Sequence, residues 1–327
     1  PHASPAGRNL CEASSRAQME EKFRLSLTLA AEGRDPIVKM GDLVVKSSPH
    51  VKLLGVTIDI GLSFAEHATY IGERANKCFG RMSRVSASSW GVGYRGLKIV
   101  YHGTFVATVT YAAAIWYHRM SVCVVRSRLL RAQRVSLILL TKAYRTVSTE
   151  GLAVLAGVLP ADLEVWRAGT VEATKGDRWG KELGALKRRV REEVCAAWGE
   201  RWQVADKGGD LRRFFPRVTD RLRATWVEPD HVTSQMLTGH GRFNARLKKF
   251  ELYETAECKC DHGEESRDHV LWICKWYESE RSVMLSGLAR KEVGPIYFAD
   301  LVSSEGNFAR FKGFCVAWHK KRMCDGN

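Results

Sequence analysis

Between Phe64 and Met82 the apolar residues fall at positions 64, 68, 71, 75, 79 and 82. Steps of three and four predict an amphipathic helix. Ser63 stands before it as an N-cap, with Glu66 three residues later in capping-box spacing. A second segment, about Tyr94 to His118, is apolar on nearly every side and predicts a buried helix. A third, about Cys123 to Tyr144, carries arginines along one side and the aliphatic run "VSLILL" towards its end. Upstream, "PIVKMGDLVV" and "VKLLGVTID" are short β-rich runs separated by "KSSPH", which predicts a small hairpin or sheet edge. Downstream, "YRTVSTEGLAVLAGVLPADL" (Tyr144 to Leu163) reads as a Ser/Thr cap, a short apolar helix and a break at Pro160. A long charged helical region follows over 162–202, then "VADKGGD" (Val204 to Asp210) as the best linker candidate. The remainder patterns as helices to the end. The fold class is mainly α, with a small β part (α+β).

Charge changes the picture more than composition does. Hydrophobic residues make up 45% of the 327, a globular rather than disordered balance. The formal net charge is +15, which points to a polyanionic partner. Residues 1–150 carry 21 Lys+Arg against 10 Asp+Glu, and no acid occurs between Glu73 and Glu150. Arg74, Lys77, Arg81 and Arg84 repeat at three, four and three, a stripe on the side of the first helix away from its apolar residues. Arg128, Arg131 and Arg134 recur on the third. Such a bundle suits a grip on a phosphate backbone that reads shape rather than base sequence. A solvated basic face without a partner is the alternative. No uninterrupted apolar run reaches eighteen residues, so a membrane span is not expected. Nine cysteines scattered along the chain favour a reducing compartment, with thiols free or on metal.

Enzyme motifs do not emerge. "GVGYRG" (Gly91 to Gly96) matches the dinucleotide-binding string, but a helix precedes it and no acid follows at the required distance. It reads instead as an interhelical loop anchored by Trp90. "FAD" (Phe298 to Asp300) lacks the second aspartate of a polymerase box, since Leu301 follows. "CKCDHGEESRDHVLWIC" (Cys258 to Cys274) crowds three cysteines and two histidines into seventeen residues. Three thiolates and one imidazole satisfy tetrahedral zinc. The one-residue gap between Cys258 and Cys260 is tight, and both His262 and His269 compete for the fourth position. Reduced cysteines at the edge of a core are the metal-free alternative.

"VKLLGVTID" (Val51 to Asp59) resembles the segment after the catalytic palm in non-LTR retrotransposon reverse transcriptases, near the primer grip. "SFAEHATYIGERANKCFGRMSRV", "SSWGVGYRGLKIVYHGTFVATVTYAAAIWY" and "YRTVSTEGLAVLAGVLPADLEV" resemble their thumb and the segment after it. "LTGHGRFNARLKKFEL" and the cysteine cluster resemble the C-terminal zinc-knuckle region of the same polyproteins, in particular the type-1 elements of insect ribosomal RNA genes. The resemblance implies the end of a polymerase palm over 1–60 and a helical thumb over 61–160. A helical connector over 161–205 and a nucleic-acid-binding region over 206–327 follow. It selects His269 over His262, giving a structural zinc on Cys258, Cys260, His269 and Cys274. With the charge pattern, phosphate contacts are expected from Arg74, Lys77, Arg81, Arg84, Lys98, Arg128, Arg131 and Arg134, and the resemblance implies no catalytic residue. The paired aspartates and their Mg would lie upstream of Pro1, with "EKFRLSLTL" (Glu21 to Leu29) a loose counterpart of the segment after them. A chain opening "PHASPAGRNL", without methionine, is then expected to be part of a longer polyprotein with an endonuclease. Its partners would be element RNA and target DNA in the nucleus, with no membrane and no small molecule bound. A free-standing zinc-containing nucleic-acid-binding protein and a metal-free helical interaction protein are the other classes open.

Overall fold

The computed structural model describes residues 37–40, 43–46, 48–87, 90–290 and 294–324. The expectations for residues 1–36 lie outside these. The chain divides into two compact units, up to Tyr70 and from Ile71 onwards.

In the first unit the two β-rich runs do not pair with each other. Each folds on itself: β1 (Ile37–Met40) pairs antiparallel with β2 (Leu43–Lys46), and β3 (His50–Leu53) with β4 (Val56–Asp59). Leu54 and Gly55 close the second hairpin, both at positive φ (47° and 85°), the two-residue turn that matches strand twist. Helix α1 (Ala65–Gly80) follows. Its start differs from the expected capping box. Asp59 is the cap, its carboxylate accepting from the backbone N–H of Ser63 (2.9 Å) and Phe64 (2.7 Å), while Ser63 Oγ accepts from Ala65 N–H. A carboxylate at this end also meets the positive end of the helix dipole. Phe64, Ala68, Ile71, Ala75 and Phe79 are buried, and Met82 lies half-buried in the 3-10 turn beyond.

In the second unit the apolar segment after "GVGYRG" is broken. α2 (Tyr94–Tyr101) runs into a π turn (His102–Val106) and Ala107–Val109; Ala112 is left-handed (φ 51°) and α3 (Ala113–Trp116) restarts bent by 50°. One face is buried, through Leu97, Tyr101, Phe105, Val109, Ala113 and Trp116, whereas Ile99, Tyr111 and Ile115 are exposed. Burial all round would need helices on every side, and the following chain covers one. No single helix among the described residues is long and apolar enough to cross a membrane. The glycine loop is held by a Ser86–Gly91 bridge, by Ser86 Oγ donating to Val92 O and by Ala87 N–H donating to Trp90 O (3.0 Å), not by the Trp90 side chain, which is exposed. A Cβ on Gly91 would stand 2.1 Å from Val85 O.

α4 (Cys123–Thr141) crosses α1 closely, a Cβ on Gly72 meeting Ala132 Cβ at 2.8 Å. Gln133 of α4 is fully buried: its amide donates to Tyr101 Oη and Leu159 O and accepts from Ala161 N–H, the first residue of α6 (Ala161–Thr174). Between them, α5 (Thr149–Ala156) is capped by Ser148 and ends at left-handed Gly157. Arg221, 1% exposed on α9 (Val218–Arg223), holds this end. Its guanidinium donates to Leu155 O (2.9 Å), Val227 O (2.9 Å) and Ala224 O (3.0 Å). Tyr94 Oη donates to Ala156 O at 2.6 Å. The buried guanidinium, with no carboxylate partner among the described residues, survives because the carbonyls of Leu155 and Val227 have no other donor, while Ala224 O also takes the Val227 N–H at 3.1 Å. The apolar "LAGVLP" stretch is therefore a packed junction.

α7 (Gly180–Val204), the short α8 (Gly209–Arg212), α10 (His231–Thr238) and α11 (Asn244–Lys249) lead to the cysteine-rich turn. α12 (Glu278–Ser286) and the long α13 (Glu305–Cys324) complete the chain.

Candidate functional site

The turn that carries the first two cysteines is fixed by its backbone. Glu257 and Glu264 form a bridge, Cys258 N–H donates to Gly263 O (2.9 Å), and Asp261 (φ 58°) and Gly263 (φ 97°) are left-handed. This tight reversal brings Cys258 and Cys260 onto one side despite their single-residue spacing. The other two ligands come from a π turn, His269–Ile273, closed by Cys274 N–H donating to His269 O at 2.7 Å. At 100° per residue an α-helix would separate i and i+5 by about 140°. The wider π turn aligns them, and such turns recur at functional sites.

The outcome is a convergent cluster. The ligand atoms of Cys258, Cys260, His269 and Cys274 all lie within 4.8 Å of one another. Cys258 Sγ is 3.5 Å from Cys274 Sγ, and Cys260 Sγ is 3.2 Å from His269 Nε2. A tetrahedron with metal–sulfur bonds of about 2.3 Å has S–S edges near 3.8 Å, so the donor set fits a soft divalent ion. His262 is exposed and turned to the carbonyl of Cys260, away from the other ligands. Burial pushes the Cys258 and Cys274 thiols up, so thiolates at these positions call for a cation beside them. At Cys260 burial works upward too, yet hydrogen bonding from the His262 backbone and the neighbouring thiols lowers it. Burial, with Arg281 and His262 adding to it, holds His269 below its usual range, in the neutral form that binds metals.

The surrounding polar groups escaped the sequence reading. Arg281 Nη2 donates to Cys274 O at 2.8 Å; its place seven residues after Cys274 is the sole local hint. Arg322 of α13 pairs with Glu265, both buried, and donates to Asn244 Oδ1 (2.7 Å), whose amide donates to Glu257 O (2.8 Å). Arg267 pairs with Asp210 at 3.0 Å and lies over the Phe298 ring at 5.0 Å. The cysteine-rich turn is thus bolted to α11, α8 and α13, and no sequence pattern announces pairs separated by fifty or more residues.

The basic residues separate into two groups. Arg74, Lys77, Arg81 and Arg84 are all exposed on α1 and its following turn, and none bonds a carboxylate among the described residues. Arg131 is exposed, and Arg128 half-buried. Lys98 is committed to Tyr94 Oη (3.0 Å) and Gly157 O (3.1 Å), and Arg134 to Thr149 Oγ1 (3.0 Å) and Arg145 O.

Fold and site together define a mostly helical, basic protein with a cysteine–histidine cluster whose geometry could hold a metal ion. Its sequence is 31% identical over 302 residues to the "Retrovirus-related Pol polyprotein from type-1 retrotransposable element R1 4" of Nasonia vitripennis, covering 88% of this chain and 76% of that one. It is 30% identical to the Pol polyprotein of the R1 element of Bradysia coprophila, of which it spans 30%. A "Putative 115 kDa protein in type-1 retrotransposable element R1DM" of Drosophila melanogaster is 29% identical, with 28% of its length covered. The chain belongs to the Pol polyproteins of type-1 retrotransposable elements. No family model matches it, and no solved structure does.

Proposed function

We propose that this chain is a nucleic-acid-gripping part of a retrotransposon RNA-directed DNA polymerase and endonuclease polyprotein that acts in target-primed reverse transcription. The observation that carries the reading is the Cys258, Cys260, His269 and Cys274 cluster. Four protein ligands fill a tetrahedral zinc, which leaves no position for water and makes the ion structural rather than catalytic. Zinc would hold the Cys258–Gly263 reversal and the His269–Ile273 turn together as one rigid knuckle. The four unneutralised cations of α1 and its turn support a grip on duplex phosphates, and the hairpin Val51–Asp59 would sit near the primer end. Polymerase and nuclease chemistry, with Mg, belongs to other parts of the polyprotein. Element RNA and target DNA are the partners, the nucleus is the place of action, and neither a membrane nor a small molecule is a partner of this region.

Metal analysis and titration of a labelled RNA–DNA duplex test it. Wild-type chain should carry one zinc per molecule and Cys274→Ser should lose it. Arg74→Ala/Lys77→Ala/Arg81→Ala/Arg84→Ala should reduce the slope of log affinity against log salt by about 3 to 4, near 0.9 per phosphate contact. Zinc-free wild-type protein, or an unchanged slope, defeats the corresponding half of the reading.

A further inference from the structure

A cleft of about 1170 Å³ lies within the second unit, and neither the α1 stripe nor the four ligands of the cysteine cluster line it. Its walls come from α4, the turn into α5, the end of α7, the Ala205–Gly209 turn, the end of α10 and α11. Six cations line it: Arg126, Arg134, Arg201, Lys207, Arg246 and Lys249, against Glu150, Asp206 and Asp210. Asp210 is already paired with Arg267 at 3.0 Å. Arg126, Lys207 and Lys249 make no side-chain hydrogen bond or ion pair among the described residues. Cations outnumber carboxylates two to one on these concave walls, which concentrates a positive field and attracts anions.

We infer that this cleft binds the sugar–phosphate backbone of a single nucleic-acid strand, without reading its bases. The inference rests on the nucleic-acid reading of the chain and adds a second, separate site to it. Size selects one strand. Pockets for one drug-sized ligand run to about 1,000 Å³, so this one admits a few linked nucleotides, while a double helix whose major groove alone is about 12 Å wide does not enter. Backbone rather than base recognition follows from the lining. Trp198 and Trp202 are buried, with Trp202 Nε1 donating to Phe215 O, so neither offers a ring face for stacking. Hydroxyls of Thr146 and Thr149 and the bare backbone of Gly208–Gly209 line the wall between the cations. His240 accepts from Arg246 Nη2 at 2.8 Å through Nδ1, next to Thr146 Oγ1 at 2.8 Å, which aims Arg246 along the same wall. Arg201 is aimed likewise by the buried Asp162 carboxylate, 2.6 Å away.

The test is fluorescence anisotropy of the full chain with labelled twelve-nucleotide RNA, the same sequence as DNA, and the RNA–DNA duplex, over a salt series. Arg126→Ala/Lys207→Ala/Lys249→Ala should weaken both single strands about tenfold and reduce their salt slope by about 2, at 0.7 per contact. Duplex affinity should stay within about twofold. Gly209→Asp is a second variant: a Cβ there meets nothing within 4 Å, and it sets a carboxylate on the wall. It should give the same single-strand loss with unchanged melting temperature. Equal loss on RNA and DNA upholds phosphate recognition alone, and a larger loss on RNA assigns the strand as RNA through its 2′-hydroxyls. Unchanged single-strand binding in both variants overturns the inference, as does equal weakening of strands and duplex. The α1 stripe variant separates the two sites: if it fails to weaken duplex, the grip reading falls while the cleft is judged by its own variants.

Discussion

Replacing Arg221 with methionine probes whether the buried guanidinium holds the α5 end by hydrogen bonding. Methionine has similar length and no donor. The change strips the carbonyls of Leu155 and Val227 of the partner now 2.9 Å away, while Ala224 O keeps the Val227 N–H at 3.1 Å. Each orphaned buried acceptor costs about 1–3 kcal/mol, about 2–6 kcal/mol for two. Against this, the variant no longer keeps a charge out of water; burial already lowers the Arg221 pKa, and relief of a buried ion returns several kcal/mol. The balance is a loss of about 1–4 kcal/mol. Urea unfolding followed by tryptophan fluorescence should show a lower midpoint at unchanged slope. Arg221→Lys, with one ammonium for three separated carbonyls, should fall between. Gly157→Ala adds a geometric check, because its Cβ would stand 2.9 Å from Arg221 Cζ at φ 55°. It should cost about 1–2 kcal/mol for the left-handed backbone, plus a clash that disappears in the Arg221→Met background, a coupling a double-mutant cycle reads. A methionine variant as stable as wild type, or more stable than the lysine one, would mean that desolvation governs Arg221 and the hydrogen-bond reasoning is wrong.

Arg322→Met leaves the Glu265 carboxylate buried beside Asn244, and should cost about 3–5 kcal/mol; Glu265→Gln in the same chain should recover part of it, whereas strictly additive losses in thermal melts would refute the pairing. Gly169→Ala places a Cβ 2.3 Å from Tyr117 Cβ and 2.8 Å from Ala113 O, so α3 and α6 must separate. A fall of about 1–3 kcal/mol is expected, and an unchanged melting temperature would show that the approach is loose. Burial lowers the pKa of His67 to about 4, and burial together with Arg246 does the same for His240. With folded values below the unfolded one near 6.5, the unfolded chain takes up protons first on acidification. Stability from these groups is complete above about pH 6.5 and lost as pH falls towards 4. Melting temperature against pH should therefore drop across that window, with His240→Asn flattening it; a rise on acidification contradicts the assignment.

What was legible in the sequence was local and periodic. The buried face of α1, at positions 64, 68, 71, 75 and 79, and the exposed Arg74–Arg84 stripe follow from steps of three and four along one helix. The four ligands were legible as residue types crowded within seventeen positions. Their convergence was not. His269 and Cys274 share a side because a π turn replaces an α turn, and His262 is set aside because its ring meets the Cys260 carbonyl. The apolar stretch over 94–118 gave no sign of its 50° bend, since a helix apolar all round does not encode which neighbours will cover it. The β-rich runs were legible as strands, while the Leu54–Gly55 turn, not the spacer between the runs, decided that the second run closes on itself. Arg221, Arg322 and the cleft had no signature, because each joins residues from elements far apart in the chain. Propensity and periodicity are set by neighbours within a turn or two, so the sequence alone determines elements and their faces. Partners for buried charges, and walls for a cleft, exist only once the helices have packed.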